Sequence, residues 1–137
     1  MRKSVSFGMS FLAALLFASL TVSTTFAAAE EGEAPPEPVQ KSVDALLASI
    51  KARDYEAFSA EGNDEFKKTN PEDVFDTFSE GIMKLMEGGH EDHFLGHLSK
   101  ENKDIYVYKV SFEESPDDAL MIVVFNEADE LAGIYFQ

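Results

Sequence analysis

Residues 105–136 decide the fold of this chain. They contain three apolar runs: 105–112 (IYVYKVSF), 119–125 (ALMIVVF) and 131–136 (LAGIYF). β-Branched and aromatic residues dominate each run, and short acidic connectors separate the runs. This pattern predicts three consecutive strands of an antiparallel meander.

The alternation of side chains predicts which faces of these strands are buried. In residues 105–112 one face carries Tyr106, Tyr108, Val110 and Phe112, and we expect it to be buried or to line a pocket. Residues 119–125 are apolar on both faces, which indicates a central strand. A shorter run at 93–98 predicts another strand at the edge of the sheet, followed by a polar connector at 99–104.

Upstream of the strands, apolar residues recur at three- and four-residue steps, which predicts amphipathic helices. One helix should begin at Val39 and stop near Arg53, and a second should cover residues 54–59. After a turn at 61–64, a third helix should have Asn70 as its N-cap and end at Gly88. Its expected buried stripe is Phe75, Phe78, Ile82, Leu85 and Met86. We also expect Val123 to lie in the core.

Helices followed by strands predict an α+β domain. We expect the N-terminal helices to pack on one face of a curved antiparallel sheet of about four strands. This domain should span residues 39–137. An acidic, proline-rich stretch precedes it at 30–38, and its composition predicts a disordered spacer.

Residues 1–29 have the features of a secretory signal peptide. Arg2 and Lys3 supply positive charge, and residues 11–20 are an apolar core too short to span a membrane, which requires roughly 20 residues. Ala27 and its two following alanines suit a signal peptidase. We therefore expect a secreted or periplasmic protein from which this segment is removed.

The chain is strongly acidic, with 26 acidic residues, 11 basic residues and a formal net charge of −15. Loss of residues 1–29 removes Arg2 and Lys3 and no acid, which changes the charge to −17. Such a charge repels nucleic acids and anionic lipid headgroups. We therefore expect no nucleic acid partner, and no membrane association after the signal peptide is cleaved. The chain has no cysteine, so its stability must come from packing.

All histidines of the chain lie between His90 and His97. Imidazole and carboxylate groups are suitable ligands for Zn²⁺ or Cu²⁺. In a helix, His93 and His97 would be about 6 Å apart along the axis, whereas in a strand they would be about 13 Å apart and unable to share an ion. The neighbouring glycines favour an extended backbone. We therefore expect no metal site at His90, His93 and His97, and no cofactor.

Two stretches are similar to segments of the nuclear-transport-factor-2-like superfamily. Residues 45–58 (ALLASIKARDYEAF) resemble its opening helix pair, in which one helix ends before Asp-Tyr and a second follows. Residues 123–136 (VVFNEADELAGIYF) resemble the closing strands of small secreted bacterial members of unknown function. The resemblance implies a cone-shaped α+β fold with an interior pocket, in a superfamily that includes isomerases, dehydratases and members without known catalysis.

The implied pocket leads to three functional hypotheses. The first is an exported, non-catalytic domain that binds a small apolar ligand, a peptide or a protein, with Tyr55, Tyr106 and Tyr108 lining the pocket. The second is an isomerase- or dehydratase-type enzyme in the same cavity, which needs an inward acid or base. The sequence pattern singles out no catalytic residue. The third is a structural or dimerisation module that forms a homodimer through the outer face of the sheet.

The signal-peptide hypothesis predicts the N-terminus of the exported protein. We expect the chain to begin between Ala28 and Glu30, because cleavage follows small residues. Mass spectrometry of protein recovered outside the cytoplasm measures this terminus directly. Recovery of exported protein that retains Met1 would contradict the hypothesis.

Overall fold

The computed structural model describes residues 34–137, so the predicted signal peptide and the start of the predicted spacer lie outside the described residues. The helices are α1 (Glu37–Ala52), α2 (Tyr55–Ala60), α3 (Asp64–Thr69) and α4 (Glu72–Met86). The strands are β1 (His90–Lys100), β2 (Lys103–Phe112), β3 (Ala119–Phe125) and β4 (Leu131–Phe136). They form an antiparallel sheet in the order β1-β2-β3-β4. The predicted α+β class and four-stranded meander are therefore confirmed.

The first two helices meet where the sequence predicted a break. Arg53 adopts the left-handed conformation with a φ of 54° and ends α1. The carboxylate of Asp54 then accepts a hydrogen bond of 3.0 Å from the backbone N–H of Ala57 and caps α2. At its other end, α1 begins at Glu37, two residues before the predicted start of the domain. Pro38 is tolerated in the first turn of α1, because backbone N–H groups there have no partner within the helix and the N–H that proline lacks is not needed.

The short helix α3 was not predicted, because Phe66 is its one buried side chain and no apolar period exists. Its sequence signal is the cap: the side chain of Asn63 accepts a hydrogen bond of 3.0 Å from the N–H of Phe66. The prediction that Asn70 caps α4 is wrong. Asn70 ends α3 instead, where its side-chain amide donates to the carbonyl of Phe66 at 3.0 Å. Pro71 directs Asn70 away from helical geometry and stands at the N-cap of α4.

The hairpin between β1 and β2 is longer and tighter than predicted. The two strands pair from His90 to Lys100, and the turn consists of Glu101 and Asn102 alone. Both residues have positive φ, 53° and 60°, as in the hairpin turns that match the twist of the strands. The polar connector predicted at 99–104 is therefore wrong. Backbone hydrogen bonds extend both strands through these residues. The side chains there are exposed and show no apolar alternation, so the sequence pattern did not indicate the strands.

One apolar cluster joins the helices to one face of the sheet, which we call the inner face. On β2 the buried side chains alternate as predicted, and on β3 Val123 is fully buried. The large side chains with no exposed surface include Phe58, Phe66, Phe75, Leu46, Ile50, Tyr108 and Met121. The helices in residues 34–137 cover this face, and none of them is both long and apolar enough to cross a bilayer.

The apolar stripe predicted for α4 is too wide. Phe75 and Met86 are fully buried, whereas Phe78 and Ile82 pack against the cluster and stay partly exposed. Leu85 lies at the margin of the stripe and is 39% exposed. Phe75 contacts the aromatic rings of Tyr55, Phe58 and Phe78 at centroid distances of 4.6 to 5.6 Å.

The difference within α4 leads to a stability prediction. Phe75→Ala should lower the free energy of unfolding by about 3–5 kcal/mol, because it removes a buried ring and leaves a cavity. Leu85→Ala on the same helix is the matched control and should change it by less than about 1 kcal/mol. Urea unfolding followed by circular dichroism measures both. Equal losses of stability in the two variants would show that Phe75 and Leu85 do not differ in burial.

Candidate functional site

A groove lies between residues 34–36, which precede α1, and the part of the inner face formed by β1 and β2. Its volume is about 560 Å³, within the range of roughly 300–1,000 Å³ that is usual for small-molecule sites. The described residues that line it are Ala34, Pro35, Pro36, Phe94, Gly96, His97 and Tyr106. A smaller cavity of about 180 Å³ shares Pro36 and Tyr106 with the groove. This groove is the candidate site.

A β-bulge in β1 turns His97 toward the groove. Phe94 pairs with Tyr108 and Gly96 pairs with Val107, so Leu95 is an extra residue in the strand. In an unbroken strand His93 and His97 would share a face, because they are four residues apart. The extra residue places them on opposite faces, and His97 therefore lies opposite Tyr106 on the inner face.

Two neighbouring side chains hold His97 in place, and a third fixes one of those two. Its ring stacks on Tyr106, with centroids 4.7 Å apart and planes inclined by 23°. Its Nε2 lies 2.9 Å from Oδ1 of Asp104, and the hydroxyl of Ser99 donates to the same oxygen at 2.6 Å. These hydrogen bonds, with that of Ser99 the stronger influence, hold the pKa of Asp104 below its usual value. With Nε2–H donated to Asp104, Nδ1 can accept a proton or a hydrogen bond from a bound molecule.

Of the three tyrosines predicted to line a pocket, Tyr106 lines the groove. It is 8% exposed, its ring lies 6.3 Å from that of Phe94, and it lies at a right angle to Phe125 at 5.8 Å. Tyr55 instead lies in the helical layer, where its hydroxyl donates to the carbonyl of Asn70 at 3.3 Å. Its ring packs against Phe75 in the helical layer, and Tyr55 is not among the residues that line the groove. That it lines a pocket stays a prediction.

Tyr108 belongs to the core and is not among the residues that line the groove. Its side chain is fully buried, and its hydroxyl donates to Oε1 of Gln40 on α1 at 3.3 Å. The amide nitrogen of Gln40 donates in turn to Asp44 at 2.8 Å and to Asp92 at 3.1 Å. Burial raises the pKa of Tyr108, and the nearby carboxylates of Asp92 and Asp44 add to this effect.

The three histidines do not converge on one point. His90 lies opposite Phe112 and His97 opposite Tyr106, both on the inner face, while His93 lies opposite Lys109 on the outer face. His93 has a different acidic neighbour, Glu91, at 3.4 Å. Within residues 34–137, no group of three or more histidines, aspartates and glutamates could hold a metal ion. That the chain binds no metal stays a prediction.

The opposite, outer face of the sheet is apolar across its middle. One row consists of Val107, Ile122 and Tyr135, and the next contains Leu98, Ile105 and Val124. Leu98 is 48% exposed and Tyr135 is 55% exposed. This face fits the hypothesis of a dimerisation module and is separate from the groove.

Several solved structures are similar to this chain, and two of them are described here. An uncharacterised cystatin-fold protein from Novosphingobium aromaticivorans is 11% identical, with a TM-score of 0.39 over 71% of this chain and 95% of its own. An NTF2-like protein of unknown function from Cytophaga hutchinsonii is 10% identical, with a TM-score of 0.37 over 72% of this chain and 88% of its own. The second carries the name of the superfamily that the sequence resembles. Both TM-scores are below 0.5, and the assignment of the fold rests on the helices and the sheet described above.

No protein-family model and no curated protein matches the chain.

The buried tyrosine predicts a loss of stability at high pH. Unfolded Tyr108 ionises near pH 10, whereas the folded protein keeps its proton above that pH. The folded state then binds more protons than the unfolded state, so the free energy of unfolding falls as pH rises above 10. Through this residue the fall approaches about 1.4 kcal/mol per pH unit.

Urea unfolding between pH 8 and pH 11 measures this slope. Tyr108→Phe should make the slope shallower, while Tyr135→Phe, at an exposed position on β4, is the control and should leave it unchanged. An unaltered slope in Tyr108→Phe would contradict the burial of the hydroxyl.

Proposed function

We propose that this protein is an exported binding domain that takes a small, mostly apolar ligand in the groove over Tyr106. The observation that carries the proposal is the lining of the groove, in which three aromatic or imidazole rings face two prolines. Rings and prolines present rigid apolar surface and lose little entropy when they bind a ligand. His97 supplies a polar group that can orient the ligand.

Export is part of the proposal and is supported by the sequence of residues 1–29. Their charged start, apolar core and small residues are typical of a signal peptide. The N-terminal mass measurement described above tests this part separately from ligand binding.

Nile red, a neutral apolar dye, tests the groove. Its emission should rise and saturate at one dye per chain, and NMR shift changes should centre on Phe94, Gly96, His97 and Tyr106. His97→Ala removes one wall of the groove and should weaken binding about tenfold, which corresponds to 1.4 kcal/mol.

His93→Ala is the matched control, because it makes the same change on the same strand but on the outer face. It should leave the dye affinity unchanged. Shift changes on the outer-face residues Leu98, Ile105 and Tyr135, together with unchanged binding in His97→Ala, would contradict the proposed site.

One observation favours an isomerase- or dehydratase-type enzyme as the second candidate. His97 and Asp104 form a hydrogen-bonded pair of 2.9 Å at the groove, with Nδ1 of His97 available as a base. Such a pair can abstract a proton next to a carbonyl group. Turnover of a carbonyl compound that is lost in His97→Gln, while His93→Gln retains it, would favour this candidate over simple binding.

A further inference from the structure

We propose that the ligand of this groove is an organic cation, namely an amine or quaternary ammonium group attached to an apolar or aromatic body. This inference rests on the proposed function, because it names the chemical class of the molecule that enters the same groove. It is carried by the rings of the groove, the carboxylates beside them and the charge of the chain.

The rings provide surfaces that attract positive charge. The ring of Tyr106 lies 4.7 Å from that of His97 and 6.3 Å from that of Phe94, and all three residues line the groove. The face of an aromatic ring is electrostatically negative and attracts ammonium groups within about 6 Å of its centroid. An apolar body of the ligand would contact Pro35 and Pro36 at the same time.

Two carboxylates lie next to these rings. Asp104 is hydrogen-bonded to His97, and Asp129 lines the small cavity together with Tyr106. Burial raises the pKa of Tyr106, and the negative charges of Asp104 and Asp129 raise it further, which shows that both lie near its ring. Neither the groove nor the small cavity has a lysine or arginine among its described lining residues. The local field therefore favours a positive ligand.

The start of α1 does not offset this field. A helix N-terminus usually attracts anions through its free N–H groups. Here Pro36 and Pro38 have no N–H, and Glu37 places a negative charge in the first turn. The formal charge of −15 on the whole chain further raises the local concentration of cations and lowers that of anions.

Three small molecules that share a benzyl group test the inference by NMR titration of the exported protein, which lacks the signal peptide. They are benzyltrimethylammonium, neutral benzyl alcohol and anionic phenylmethanesulfonate. The cation should bind at least about fivefold more tightly than the alcohol, with shift changes at Phe94, His97 and Tyr106, and the anion should cause none. Addition of salt should weaken the binding of the cation and leave that of the alcohol unchanged.

A double variant, Asp104→Asn with Asp129→Asn, tests the role of the carboxylates. It should lower the affinity for the cation about three- to tenfold, because two nearby charges are removed from a solvated site. The affinity for benzyl alcohol should fall less than the affinity for the cation, because an asparagine side-chain oxygen can still accept from Nε2–H of His97 while the negative charge is lost. The ratio of the two affinities therefore measures the effect of the charges. Asp76→Asn on the exposed side of α4 is the matched control and should affect neither molecule.

The outcomes separate this inference from the proposed function. Equal affinity for the cation and the alcohol, or an unchanged preference in the double variant, would overturn the inference while the groove remains a binding site. If none of the three molecules changes the NMR shifts of the groove residues, both the inference and the proposed function are overturned. Preference for phenylmethanesulfonate would overturn the inference and assign the opposite charge to the ligand.

Discussion

The domain depends on the burial of one face of β2 beneath α1. Tyr108 stands at the centre of that face, and a buried hydroxyl without a partner would cost about 1–3 kcal/mol. Gln40 removes this cost by accepting from the hydroxyl and donating to Asp92 on the neighbouring strand. One side chain of α1 is thus bonded to two adjacent strands. This fixes the helix over β1 and β2 and leaves the end of the inner face near His97 uncovered.

The uncovered end becomes the candidate site because of one extra residue. Leu95 shifts the register of β1. His97 therefore lies on the inner face, whereas in an unbroken strand it would lie on the outer face. The histidine then meets Tyr106 and Asp104, which are two residues apart on β2 and therefore share its inner face. Bulges are common near functional sites, since they redirect a side chain without loss of the strand pairing on either side.

The sequence predicted most of the fold because burial there follows a period. The alternation in residues 105–112, the apolar run 119–125 and the break at Arg53 each have a single physical reading, and the structure confirms them. The helix α3 and the ends of β1 and β2 could not be predicted in this way, since capping and backbone pairing hold them with few buried side chains.

The site was harder to predict than the fold. Tyr106 could be selected from the alternation of β2, but Tyr55 and Tyr108 share its residue type and are used for packing. The pair of His97 with Asp104 joins residues seven apart in the sequence across a tight turn and a bulge. A register shift of one residue has no hydrophobic signature when the extra residue, Leu95, is itself apolar. Gly96 directly after it was the available hint, because glycine within a strand often marks a bulge.

The wall formed by Ala34, Pro35 and Pro36 has a consequence for selectivity. These residues stand outside the sheet, and the two prolines have no N–H with which to join a backbone ladder. The opposite wall, on β1 and β2, is fixed by strand pairing, and Pro36 is fixed to α1, because its carbonyl accepts hydrogen bonds from the N–H groups of Val39 and Gln40 at 2.9 and 3.1 Å. A pocket between two fixed walls has a set width. For the proposed ligand, the thickness of the apolar body would then limit entry, whatever polar group the ligand carries.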